Sequence, residues 1–360
     1  MKNKLLRHLN EKVYPQKHFF PPKWIVLGVN NVCNLHCKMC DVGTQNFDST
    51  FAQNLVGTHP INMPLDLIKR VIDQTAKYYP KSQLAYAFTE PLVYPHLVDS
   101  LIYANEKGLY TTVTTNALTL PNKAEKLVNA GLNEIYVSLD GPEEIHNEIR
   151  GHQKSFQKAL EGIEKLKSFS NPPKITIICA ITEWNIGHLK SFTDSFVNVG
   201  IDEIAFMHTQ FTDPKMAFIH NQKWQDVYPA TDSNLDIVNF DNMNLNLLLE
   251  EIRSIRSTEY PFHVYFSPEL KTAPELEVYY NDPSKFIGKH CRAVFTSIMV
   301  KSDGSVIPAH GRCYNLDIGN INNDTLKNIW NSSIVSKFRS TLMSEGGFLP
   351  ACSRCCSAFD

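Results

Sequence analysis

The sequence predicts an α/β protein: a partial (β/α)6 barrel followed by a small C-terminal α+β extension. Three observations carry this. Between residues 24 and 211, six short apolar or β-branched runs alternate with segments of helical period, the rhythm of parallel βα units. The rhythm stops at a polar stretch over residues 212–244. After Cys291 the texture changes to a hairpin, a helix and a closing cysteine pair.

The six strands are Trp24–Val29, Leu84–Phe88, Tyr110–Thr114, Glu134–Leu139, Lys174–Ile181 and Ile204–Met207, near-continuous apolar runs as expected of strands buried on both faces. Helices fall between them. In the clearest, Pro64 to Tyr79, Leu67, Ile68, Val71 and Ile72 form one apolar stripe, and Pro64 suits a first turn. The others run over about Leu97–Lys107, Asn122–Ala130, Ser155–Lys167 and Ile186–Val199, most with Gly or Pro close behind.

Residues 212–244, rich in Asn and Asp, read as a long loop or lid. A helix at Leu245–Ser257 and a strand near His263–Phe266 close the unit. The hairpin pairs Thr296–Val300 with Val306–Ile307 around an Asp303-Gly304 turn, and a helix covers about Leu326–Phe338. The expected divisions are an N-terminal extension (1–20), the barrel (21–270) and the C-terminal extension (271–360).

With 35 Lys and Arg against 37 Asp and Glu, the net charge of −2 provides no field to gather nucleic acid or an anionic membrane. The amino terminus has no apolar h-region, and no apolar run approaches the ~18 residues of a membrane span. A cytoplasmic protein is expected. In that compartment nine cysteines point to metal or redox chemistry before disulfides.

Cys33, Cys37 and Cys40 form a C-x3-C-x2-C run directly after the first strand. Three thiolates on one loop can hold three irons of a cubane that normally takes four cysteines, leaving one iron open to a ligand. A zinc knuckle, with His36 as fourth ligand, is the alternative, but structural zinc favours paired C-x2-C spacing. The run and its place after strand one resemble the radical S-adenosylmethionine (SAM) superfamily. That resemblance implies a [4Fe–4S] cluster whose open iron chelates SAM, reductive cleavage of the sulfonium, and a 5′-deoxyadenosyl radical that takes a substrate hydrogen.

Further segments agree. Phe88-Thr89-Glu90-Pro91-Leu92 is similar to the family's Gly-Gly-Glu-Pro-Leu, with both glycines replaced, and the resemblance implies that Glu90 binds the SAM amine. A helix N-terminal acid is the plainer reading. Thr114-Thr115-Asn116 resembles Thr-Asn-Gly, with Ala117 where Gly is usual, so Thr115 and Asn116 would line the cavity; a turn-forming Asn is the alternative. Ser138-Leu139-Asp140-Gly141, His146 and Arg150-Gly151 look like the signature of the branch with extra clusters. There Ser138 and Arg150 would hold the SAM carboxylate, Asp140 would bind ribose or substrate, and His146 would be structural or catalytic. Asn185, with Thr182, follows strand five, where the family often contacts the nucleoside; turn chemistry is the alternative. Cys33–Cys40, Glu90, Asn116, Ser138, Asp140, Asn185 and His208 all fall at the carboxyl ends of the expected strands, the face where barrels place active sites.

Cys291, Cys313, Cys352 and Cys355 follow the barrel. They resemble the cysteines of a Twitch or SPASM extension, in which Leu316–Ile321 and Asn328–Asn331 also take part. Ala309 stands where the family places a cysteine, with His310 next, so Cys313 is the expected second ligand and His310 or Cys356 the alternatives. One auxiliary [4Fe–4S] cluster is expected, against a zinc site of four thiolates. Cys179, inside an apolar strand, belongs to the core.

His208, Gln210 and the 212–244 loop lie above the expected barrel mouth. About 32 residues precede Cys33, too few for the leader-binding domain of some peptide-modifying relatives. The expected substrate is therefore a small polar metabolite such as a sugar or cyclitol, dehydrogenated or epimerised, with Asp140 and His208 as catalytic residues. An external flavodoxin- or ferredoxin-type protein would donate the electron. Radical modification of a peptide is the second reading, and a non-catalytic metal-binding or electron-transfer protein the third.

Overall fold

The computed structural model describes residues 2–359. Its frame is a ten-stranded sheet: β1 (Trp24–Leu27), β2 (Gln83–Tyr86), β3 (Tyr110–Thr115), β4 (Glu134–Ser138), β5 (Lys174–Ile181), β6 (Glu203–His208), β7 (His263–Ser267), β8 (Ser297–Val300), β9 (Ser305–Pro308) and β10 (Gly319–Asn320). The order is β10-β9-β8-β1-β2-β3-β4-β5-β6-β7. Strands β1 to β7 are parallel neighbours in sequence order, so all six expected strands form, with the closing seventh.

Each crossover is made by a helix whose apolar stripe packs on the sheet. In Leu65–Tyr78, residues Leu67, Ile68, Val71 and Ile72 are buried as their spacing requires, and they share one core with strand residues such as Ile25, Leu84, Val113 and Ile135. Burial of such side chains at roughly 1.5–3 kcal/mol each holds the strand ends where the site residues sit.

The helix expected over Leu326–Phe338 is two, Leu326–Trp330 and Ser333–Ser344, the second capped by Ser332, and two further features depart from the sequence reading. The hairpin β8–β9 forms, but β8 pairs in parallel with β1, Ile25 opposite Ile298, so the barrel sheet runs unbroken into the C-terminal segment. The stretch expected to be all loop contains a helix, Pro214–Trp224. Asp213 caps it by accepting from the Lys215 N–H, Pro214 starts it, and Met216, Ala217 and His220 form a short buried stripe. Phe218 is exposed on the other side, so apolar residues on both faces conceal that stripe in the sequence. Among the described residues no helix is long and apolar enough to cross a membrane.

Candidate active site

The cysteine loop leaves β1 and folds back on itself. Gly43 lets it close: a Cβ there would lie 2.4 Å from the Cys37 carbonyl oxygen, so the chain passes against Cys37 only because no side chain intervenes. The backbone N–H of Lys38 donates to the Ile149 carbonyl at 2.9 Å, tying the loop to the helix Glu143–Arg150.

Cys33, Cys37 and Cys40 line one cavity of about 170 Å³ together with Thr115, Asn116, Ser138 and Arg150. Two N–H donors point at sulfur: Asn116 Nδ2 lies 3.9 Å from Cys33 Sγ and Arg150 Nη1 lies 3.7 Å from Cys37 Sγ. Burial pushes the Cys37 thiol up to about 12, so the protein alone does not hold a thiolate there. A metal that replaces the proton removes that cost. Three soft sulfurs with N–H donors beside them, opening on a largely apolar pocket that carries the polar groups of Thr115, Asn116, Ser138 and Arg150, fit a cluster with one open iron and a chelating partner.

Arg150 suits the carboxylate of such a partner. Its Nε donates to the Asp140 carboxylate at 2.5 Å, and among the described residues Nη2 and the Ser138 hydroxyl have no protein partner. Burial, the largest single effect, would lower the Arg150 pKa, but the Asp140 carboxylate and then Cys37 together raise the value.

The other expected residues stand behind the cavity wall. Glu90, 1 % exposed, accepts from Thr115 Oγ1 at 2.6 Å, the Asn116 N–H at 2.8 Å and the Leu92 N–H at 2.9 Å. Its carboxylate is spent on those three, and it orders Thr115 and Asn116 rather than lining the cavity. Asp140 also accepts from the Ala180 N–H at 2.9 Å. Asn185 braces the same corner, donating to the Ala180 carbonyl at 2.7 Å and the Asp140 carbonyl at 3.1 Å. His146 accepts the Asp140 N–H at 3.0 Å and is fully buried, which holds its pKa well below the usual range.

His208 lies elsewhere. Its Nδ1 is 2.7 Å from the Tyr280 hydroxyl and its ring packs against Tyr279 and Tyr280, so it faces the helix Ala273–Asn281 and lines neither this cavity nor the next. The end of β6 carries it outward, while Gln210, two residues on, turns inward.

A second, more enclosed cavity of about 60 Å³ is lined by Cys291, Cys313, Cys352 and Cys355. Cys313, not Ala309, supplies the fourth sulfur: Ala309 sits at φ 59° and offers only a methyl. Burial raises Cys291 and Cys313, and neighbouring thiols add to the effect. Cys355 is lowered instead, by hydrogen bonds from Cys356 and then His310. Tyr314 Oη lies 3.2 Å from Cys352 Sγ. Four thiols around one enclosed space fit a fully ligated metal group. Among the described residues no three His, Cys, Asp or Glu side chains converge on one point as ligands of a single ion do; the thiols line the walls of two cavities.

Phe51 lines both cavities. Its ring meets Phe88 edge-on at 6.5 Å, and Phe88 stacks on His310 at 6.2 Å. Phe88 holds φ 80° and Ala117 φ 60°, so two of the three positions where the motifs have glycine keep a glycine-like backbone. The sequence reading noted the missing glycine at 88 but not the partition its ring helps to build.

Two family models match the chain: the radical SAM superfamily over residues 28–195 and the SPASM iron–sulfur cluster-binding domain over 291–356. A tungsten-containing aldehyde ferredoxin oxidoreductase cofactor-modifying protein of Pyrococcus furiosus is 22 % identical over 358 residues, covering 92 % of this chain and 87 % of that protein. Fe-coproporphyrin III synthase of Methanosarcina barkeri is 25 % identical over 185 residues, 51 % of this chain and 43 % of that one, so the match spans less than half of that relative. Among solved structures, Streptococcus suis SuiB bound to the precursor peptide SuiA superposes with a TM-score of 0.63 at 16 % identity, covering 94 % of this chain and 72 % of that one.

Proposed function

We propose, from the premise that the chain is a member of the radical SAM superfamily with a C-terminal SPASM-type iron–sulfur domain, that it abstracts a hydrogen atom from a small polar molecule. The protein is an enzyme with SAM and iron–sulfur clusters as cofactors. When bound, the cluster and SAM supply a one-electron reduction that yields a carbon-centred radical. The chain's own residues do the rest. Cys33, Cys37 and Cys40 would hold the SAM-binding cluster, and Ser138 and Arg150 would hold the SAM carboxylate, with Asp140 fixing the guanidinium. Asn116 and Thr115, ordered by Glu90, would line the nucleoside side. Cys291, Cys313, Cys352 and Cys355 would hold one auxiliary cluster.

The observation that carries this reading is the shared cavity of the three cysteines with Thr115, Asn116, Ser138 and Arg150. The polar groups that line the second cavity, Gln210, Thr212, Thr231 and Ser233, support a small polar substrate, as does the relative named for cofactor modification. An external one-electron donor of flavodoxin or ferredoxin type would reduce the cluster. Peptide modification is the second reading, favoured by the likeness of the fold to a protein solved with its precursor peptide.

The test is anaerobic reconstitution with iron and sulfide, then dithionite and SAM. Formation of 5′-deoxyadenosine is expected, and it should vanish when Cys33, Cys37 and Cys40 are changed to Ala together. About eight irons per chain are expected, and about four after the triple change. Zinc in place of iron, with no SAM cleavage, would overturn the proposal.

A further inference from the structure

The two cavities share Phe51 and both have arginine in their linings. Neither cavity has an Asp or Glu in its lining. Three arginines face this space, and two are accounted for. Arg150 is tied to Asp140, and Arg354, fully buried, spends its guanidinium on the carbonyls of Tyr279, Val278, Asp282 and Lys285.

Arg312 is the third. Its guanidinium carbon lies 4.4 Å from the centroid of Phe51, the residue that lines both cavities. Among the described residues no acceptor lies within hydrogen-bond distance of its guanidinium; only its backbone N–H is engaged, donating to His310 Nδ1 at 3.3 Å. The guanidinium stands over a ring beside the cavity, with its fork open. Gln210 faces the same cavity, and with its Oε1 taken by the Cys356 N–H its amide N–H2 has no protein acceptor among the described residues. A planar fork with an amide donor in the same cavity matches a carboxylate or a phosphate, which take two parallel N–H bonds. Asp41 feels the Arg312 charge but spends its oxygens on the Ser49 hydroxyl and the Asn234 N–H, so a neutral sugar would leave the fork without a charged acceptor.

We propose that the substrate carries an anionic group, a carboxylate or a phosphate, and that Arg312 receives it, with Gln210 as the second donor. This rests on the reading of the cavities as a radical SAM active site and adds the substrate's chemical class. The stacking on Phe51 fixes where the anion sits. It lies at the partition, so that the rest of the molecule extends towards the pocket of Cys33, Cys37 and Cys40.

The test uses inorganic phosphate and 13C-labelled acetate as probes of anaerobically reconstituted, reduced protein. Each probe's NMR line is broadened when it binds beside a paramagnetic cluster. Broadening by wild type is expected for at least one probe, and the responding probe identifies the source. In Arg312→Gln it should fall about tenfold, the effect of losing one charge-assisted hydrogen bond. Arg312→Lys, which keeps the charge without the fork, should retain part of it. Equal broadening by wild type and Arg312→Gln, or none of either probe by wild type, overturns the proposal. So does an altered potential of the auxiliary cluster with probe broadening unchanged, which would assign Arg312 to balancing cluster charge. Substrate-independent 5′-deoxyadenosine formation should be the same in wild type and Arg312→Gln. Its absence from both counts against the parent reading, because either cluster suffices to broaden the probe.

Discussion

At the scale of single residues, the site depends on groups that touch nothing reactive. Asp140 is fully buried and Arg150 12 % exposed in their side chains, so Asp140→Asn leaves a guanidinium without its counter-charge. A loss of about 3–5 kcal/mol in urea-unfolding stability is expected, with weaker SAM binding by equilibrium dialysis because Arg150 is no longer anchored. Unchanged SAM affinity would separate Asp140 from the pocket. Phe88 tests the strained backbone. Phe88→Ala and Phe88→Gly both lose the contacts with Phe51 and His310, but only glycine relieves φ 80°. The glycine variant should therefore be the more stable by about 1 kcal/mol in denaturant titrations. These residues also mark what was legible in the sequence. That the three cysteines, Asn116, Ser138 and Arg150 share one cavity was legible, because three thiols on one loop carry a cluster pattern and the other three stand in segments that resemble the family's motifs. That Glu90, Asp140 and Asn185 act one step behind the cavity was not readable, because a carboxylate that orders a loop and one that binds a ligand look alike in sequence.

At the scale of elements, β6 shows why orientation was the harder part. A parallel strand covered on both faces has no alternation of apolar and polar residues, so the face that His208 takes leaves no trace in the sequence; the same holds for the stripe of three residues inside 214–224. The position of His208 has a pH signature. Burial, with the charge of Arg256 adding to it, pushes its pKa down to about 3, whereas the unfolded ring titrates near ~6.5. Between these values the unfolded state binds more protons than the native one. The stability that the neutral ring preserves is complete above about pH 6.5 and is lost as pH falls towards 3. At pH 5 the loss is roughly 2 kcal/mol. His208→Phe, which cannot titrate, should lose about that much less stability than wild type between pH 7 and pH 5. Parallel curves for the two proteins would show that the ring is solvated.

At the scale of the whole molecule, the sheet makes the auxiliary cluster's housing part of the barrel. Without β8, β1 would be an edge strand of sequence Trp24-Ile25-Val26-Leu27 with its outer N–H and C=O groups unpaired, the apolar edge that associates with other chains. The C-terminal segment also seals the core elsewhere. Trp330 is buried and donates its indole N–H to the Phe20 carbonyl at 3.0 Å, Leu326 and Ile329 join the main core, and Arg339 donates to the Val294 and Trp330 carbonyls. A chain ending at residue 290 should therefore form soluble aggregates or precipitate, elute in the void volume on size exclusion, and bind no SAM. Removing only the auxiliary ligands should act differently. Cys352→Ala with Cys355→Ala leaves β8 and Trp330 in place, so that protein should stay monodisperse, retain about four irons and still bind SAM. If the chain ending at 290 were monodisperse and bound SAM as tightly as the full chain, β8 would be an ornament on the barrel edge and not a member of the sheet that shapes the site.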